Sequence, residues 1–185
     1  IREGELAIHG KWYMDGRDEK LPTVIICHEF GTNMRFTGRY AQMLCRQGYA
    51  VFCFDFCGSE SGTSQGRKST EMSVTTEVVD LLVVLDYVES RPFVNTDAVF
   101  LMGCSQGGLV ASLAAEKRKD EVRKLVLYYP ALSIPDDARK GSMLGAVFNG
   151  DEIPESFKVL NDKFRLGKRY VADAIKLSEW REMMR

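Results

Sequence analysis

Short unbroken apolar runs alternate along this chain with longer stretches in which apolar residues return every three or four positions. Thr23–Cys27, Tyr49–Phe54, Ala98–Met102 and Val122–Tyr128 are the short runs, rich in β-branched and aromatic residues. Such runs predict strands covered on both faces. Between them the period changes. Val74, Val78, Leu81, Leu82, Leu85 and Val88 fall on one face of a long helix, which Pro92 stops. Further helices are predicted from about Thr37 to Gln47, ended by Gly48, and from Leu109 to Lys119. Ahead of these, Leu6–Met14 reads as a strand bent at Gly10, followed by a polar turn over Asp15–Asp18. His28–Phe36 and the Gly- and Ser-rich Asp55–Lys68 read as loops. Strand–helix alternation with doubly apolar strands specifies an α/β fold with a mostly parallel sheet. Right-handed crossovers then put helices on both faces.

The character changes after Pro130. Ser133–Gly167 holds Pro135, Pro154, several glycines and many charges, with no long periodic run. It reads as an insertion or lid. A helix is predicted from about Tyr170 to Met184. The chain therefore divides into a core portion (1–132), a lid insertion (133–170) and a helix leading back toward the core (171–185).

Composition narrows the picture. A length of 185 residues suits one domain with a substantial core. Lys and Arg total 25 against 26 Asp and Glu, a net charge of -1 with no block of one sign. That balance gives no electrostatic footprint for nucleic acid or an anionic membrane. No run approaches the roughly 20 apolar residues of a membrane span. No signal peptide is visible, and the chain starts at Ile1 rather than Met. The five cysteines (27, 45, 53, 57 and 104) lie mostly inside apolar runs, which suggests reduced core thiols and a cytoplasmic protein. With only His9 and His28 beside them, no metal-site spacing emerges, and no metal is expected.

The chemistry centres on Gly103-Cys104-Ser105-Gln106-Gly107, a Gly-x-Ser-x-Gly motif with a strand running in and an Ala- and Leu-rich helix running out. In that setting the serine sits on a sharp turn and projects above the sheet. The glycines leave room where a Cβ would collide. Ser105 is thus the candidate nucleophile. His28-Glu29-Phe30-Gly31 follows the Thr23–Cys27 strand, where an acyl-transfer enzyme carries half of its oxyanion hole. The predicted donors are the backbone N–H groups of Phe30 and Gln106. His28 reads as a residue that holds this loop by hydrogen bonds rather than as the base, because triad order in such a fold puts the histidine after the serine. Asp55 and its neighbouring glycines read as a turn supporting the same loop.

These blocks together resemble the α/β-hydrolase superfamily, in particular the bacterial cinnamoyl or feruloyl esterases. The resemblance also rests on Phe54–Ser59, Tyr129-Pro130-Ala131, Ile134–Arg139 and Leu166–Tyr170. It implies hydrolysis of hydroxycinnamic esters through an acyl-enzyme, with no cofactor and a small aromatic ester as partner. It implies a lid that forms the acyl pocket, with Asp137 and Tyr170 placed to reach the substrate's phenol hydroxyl. The residues by themselves leave those two equally readable as a loop cap and a packed aromatic. A homo-oligomer is compatible with the sequence.

The sequence departs from the family pattern twice. Glu29 stands where the oxyanion loop typically has Gly. If that position needs positive φ, Glu costs on the order of 1 kcal/mol, and its carboxylate is expected to point away from the oxyanion. The family's triad Asp and His follow the lid on the loops after two further strands, and no His follows His28 here. The expectation is that this chain is the front portion of an esterase, without the base that activates Ser105. A carboxylesterase, thioesterase or peptidase of the same fold and a non-catalytic module remain open alternatives.

Overall fold

The structure, a computed structural model, describes residues 1–16, 20–148 and 152–177. Each buried run becomes a strand of one five-stranded sheet. β1 (Arg2–Glu3) and β2 (Leu6–Ala7) form a small hairpin, and β3 (Gly10–Tyr13), β4 (Leu21–Cys27), β5 (Ala50–Phe54), β6 (Val94–Cys104) and β7 (Val122–Tyr128) form the sheet in the order β3-β5-β4-β6-β7. Only β3 is antiparallel, against β5; β4 pairs with β5 and β6, and β6 with β7, in parallel. The α/β-hydrolase fold and the mostly parallel sheet expected from the sequence are therefore present.

Alternation along β4 feeds two cores. Ile25 and Cys27 face the larger cluster built with α2 (Val74–Glu89) and α3 (Gln106–Lys117). Val24 and Ile26 face a smaller one with Ala41 of α1 (Met34–Arg46). Helices thus cover both faces. α1 starts three residues earlier than the periodicity suggests, because the Asn33 side chain caps it by accepting from the Arg35 N–H. In α2 the apolar stripe is buried at Val74, Val78, Leu81, Leu85 and Val88, while Leu82 is only partly covered.

The structure corrects several boundaries. The Leu6–Met14 strand is broken: its halves belong to two different sheets, and the break falls at Ile8 and His9 rather than at Gly10. β7 keeps its predicted bounds but is not doubly buried. It lies at the sheet edge, with Val126 52% and Tyr128 47% exposed. The segment read as a lid is not featureless. It holds α4 (Ile134–Arg139), a β8 (Ser142–Met143) and β9 (Ala146–Val147) hairpin, and a second hairpin of β10 (Ser156–Val159) and β11 (Phe164–Gly167). Such two- to four-residue elements leave no periodic signature. The last helix, α5, spans Lys168–Lys176; the predicted continuation to Met184 lies outside the described residues.

Candidate active site

Ser105 occupies the single residue between the end of β6 and the start of α3, at φ 50° and ψ -119°. For a non-glycine this is a strained conformation, sustained only where the surroundings over-determine it. Here they do. The Ser105 N–H donates to the Tyr128 carbonyl (3.1 Å), and its carbonyl accepts from Gly108 (2.9 Å) and Ala131 (2.8 Å). The three glycines are sterically obligatory. A Cβ on Gly103 would stand 2.3 Å from the Gly107 carbonyl oxygen, and one on Gly108 2.7 Å from Pro130 Cβ. One on Gly107 would stand 2.5 Å from the His28 carbonyl oxygen, so the turn packs directly against the loop leaving β4.

That loop is held from beneath by His28, which is buried. The Phe56 N–H donates to His28 Nε2 (3.2 Å), so Nδ1 carries the hydrogen that is donated to the Glu29 carbonyl (2.7 Å). Both ring nitrogens are occupied and burial pushes the imidazole pKa down, which keeps it neutral. This matches the expected loop-holding role. Asp55 supports the loop from the other side: its carboxylate accepts from the N–H of Met34 (2.7 Å) and from the N–H (2.8 Å) and hydroxyl (2.9 Å) of Thr63. The positive φ of the loop falls at Gly31 (71°) and not at Glu29, so the strain anticipated for a non-glycine at 29 does not arise. The Glu29 carboxyl is raised above its ordinary range by burial, against the pull of Arg39.

Phe30 is half-buried in this loop, and Gln106 is the first residue of α3. The N–H groups at a helix start have no intrahelical acceptor. Among the described residues no backbone or side-chain acceptor takes the N–H of Phe30 or of Gln106. One unspent N–H thus directly follows the strained serine, and another lies in the loop packed against its turn.

Beneath Gln106 lie groups that sequence reasoning missed. Gln106 Nε2 donates to Glu77 Oε2 (2.7 Å), and Glu77 is 2% exposed. Burial pushes the Glu77 carboxyl up to about 8. One turn on, Asp80 binds Arg67 Nη1 (2.8 Å) and accepts from the Cys57 N–H (2.8 Å). Its carboxyl nevertheless rises to about 6, because burial outweighs the ion pair. The sequence held a signal for Glu77: it sits between Val74 and Leu81 on the apolar stripe of α2, where a carboxylate needs a partner.

The two residues assigned to the substrate's phenol fare differently from the expectation. Tyr170 is fully buried and its hydroxyl donates to Gln106 Oε1. With no exposed surface and its hydroxyl spent, it does not reach outward as anticipated. Asp137 is half-buried in α4, and its carboxylate accepts from the Ser133 hydroxyl (2.8 Å). It ties the residue that precedes α4 to the helix's first turn.

With this geometry in view, a family model described as serine aminopeptidase, S33, matches residues 18–173. The chain belongs to that family. This S33-family chain is also similar to Est1E from Butyrivibrio proteoclasticus, solved with ferulic acid bound. The TM-score is 0.87 at 28% identity, over 96% of this chain and 70% of that one. It is 30% identical to monoglyceride lipase of Rattus norvegicus over 146 residues, which are 78% of this chain and 46% of the lipase. An uncharacterized protein of Pseudomonas aeruginosa is 27% identical over 113 residues, 60% of this chain and 30% of that protein. The S33-family chain thus spans less than half the length of these two curated relatives.

Proposed function

We propose that this chain carries the nucleophile half of a serine hydrolase acting on carboxylic esters, and that the acyl group is a hydroxycinnamate of the ferulate type. The observation that carries the reading is Ser105, held at φ 50° on a turn whose Gly107 packs against the loop that carries Phe30. In this mechanism Ser105 Oγ attacks the ester carbonyl and forms an acyl-enzyme. The Phe30 and Gln106 N–H groups receive the oxyanion. A water then releases the acid.

A general base must take the Ser105 proton and later protonate the leaving alcohol. His28 cannot serve, since both its nitrogens are engaged under the loop. We assign that role to a histidine outside these 185 residues, oriented by a carboxylate also outside them. No cofactor enters the scheme. Asp137, on α4, is assigned to the acyl pocket. The similarity to an esterase solved with ferulic acid supports the aromatic acyl group. A cytoplasmic location and a possible homo-oligomeric state belong to the same proposal.

The test compares turnover of methyl ferulate, a short aliphatic ester and an aminoacyl amide by the full-length enzyme. Methyl ferulate should be the best of the three. Equal or better turnover of the aliphatic ester would point to a lipase-like specificity, and preference for the amide to a peptidase. A fluorophosphonate should label Ser105 and no other serine.

A further inference from the structure

Only the backbone of Gln106 has a role in the scheme above, yet its side chain is gripped at both ends. Glu77 of α2 accepts from its nitrogen, and Tyr170 of α5 donates to its oxygen. Tyr170 also meets the other donor residue: its ring packs edge-on to Phe30, with centroids 6.2 Å apart. Phe30 is gripped in turn by Phe164 of β11 at 5.4 Å, edge-on. The ring of Phe164 fills the space beside Gly31, where a Cβ would stand 2.7 Å from it. Tyr170, fully buried, therefore touches both residues whose N–H groups are assigned to the oxyanion site.

We propose that Tyr170 is a positioning residue that fixes the spacing of the Phe30 and Gln106 N–H donors, with Glu77 bracing Gln106 from the opposite side. The inference rests on the reading of Ser105 as nucleophile. Its physical basis is that oxyanion donors act through placement. They stabilise a charge that exists only in the transition state, and a displacement of about 1 Å can cost on the order of a hundredfold in rate. The Gln106 N–H follows the peptide after the strained Ser105, so the direction of that N–H is set by what holds residue 106. Burying Glu77 at the cost of its ionisation fits a group kept for placement, since such perturbed groups gather at functional sites. The arrangement also ties the end of the lid, β11 and α5, to the catalytic turn.

The test uses Tyr170→Phe in the full-length enzyme, which keeps the ring on Phe30 and removes only the bond to Gln106. Rates are measured on methyl ferulate and on methyl cinnamate, which lacks the phenol hydroxyl. We expect kcat to fall about tenfold on both esters with KM little changed, and fluorophosphonate labelling of Ser105 to slow in step. Glu77→Ala should act likewise, and Glu77→Gln, which keeps an acceptor for Gln106, should recover part of the loss. A loss confined to methyl ferulate would overturn the proposal in favour of direct contact with the phenol. Unchanged kcat in a folded Tyr170→Phe enzyme would also overturn it. Failure of the unmodified enzyme to turn over any ester would instead overturn the esterase reading, and this inference with it.

Discussion

Ser105 owes its conformation to three absent side chains and three backbone hydrogen bonds. The tightest of the three absences is at Gly103, where a methyl would stand 2.3 Å from the Gly107 carbonyl oxygen and 2.5 Å from Gly108 Cα. Both are backbone atoms and neither can swing away. Gly103→Ala should therefore destabilise the chain by about 1–3 kcal/mol, the usual cost of overpacking, whereas Gly16→Ala, with open space around it, should be near neutral. Denaturant unfolding of the two variants measures the contrast. These glycines were legible in the sequence because the motif and its strand–helix setting name them together. Tyr170 was legible only as a residue of interest. Its burial under the turn depends on α5 packing against α2, and contacts between residues 64 positions apart leave no mark in a local pattern.

Among the elements, β4, β5 and the Ala98–Met102 part of β6 were the easiest to read, because they are mostly buried and apolar; the Val94–Asp97 start of β6, with Asn95, Thr96 and Asp97, was not legible. β7 is the strand that differs within these 185 residues. Its run Val-Arg-Lys-Leu-Val-Leu-Tyr looks like the others, but Arg123 and Lys124 already mark it as half-solvated. Tyr40 is the residue of α1 that reaches its outer end, meeting Tyr128 at 5.6 Å, and Val126 stays exposed. Within these 185 residues β7 is an edge strand with apolar residues on an uncovered face, and such an edge invites pairing with another chain. Val126→Lys should lower self-association of the 185-residue chain while changing its stability by no more than about 0.5 kcal/mol. Sedimentation over a range of concentrations reads the first and denaturant unfolding the second. The lid hairpins escaped the sequence for a different reason: elements of two to four residues are specified by turns and tertiary contacts, and not by periodicity.

For the molecule as a whole, the buried acids predict how stability varies with pH. The Glu77 carboxyl lies at about 8 in the folded chain against an ordinary 4.5, and Asp80 at about 6 against 3.8. Both are raised, so the folded state holds protons that the unfolded chain releases. Their contribution is full below the ordinary values and is lost as pH rises through about 6 and then about 8. His28 works in the opposite sense, and its contribution is lost as pH falls below its ordinary 6.5. Thermal stability should therefore decline between about pH 6.5 and pH 8 and level off above, and Glu77→Gln should flatten that decline. Melting curves across the range check this. An equally steep fall in Glu77→Gln would remove Glu77 as its source.

The order of the strands has a consequence for how the chain comes to be folded. β4 is the central strand, and it pairs with β6 across some seventy residues of sequence, the whole of α1, β5 and α2 intervening. Ser105 emerges at the end of that late partner, and its N–H is then tied to Tyr128 of a strand made later still. During synthesis the β4 edge that carries Ile25 and Ile26 has no partner until β6, ending at Cys104, has been made. The strained turn thus depends on pairings made across long stretches of sequence, and a reactive Ser105 would report that β4, β6 and β7 have come together.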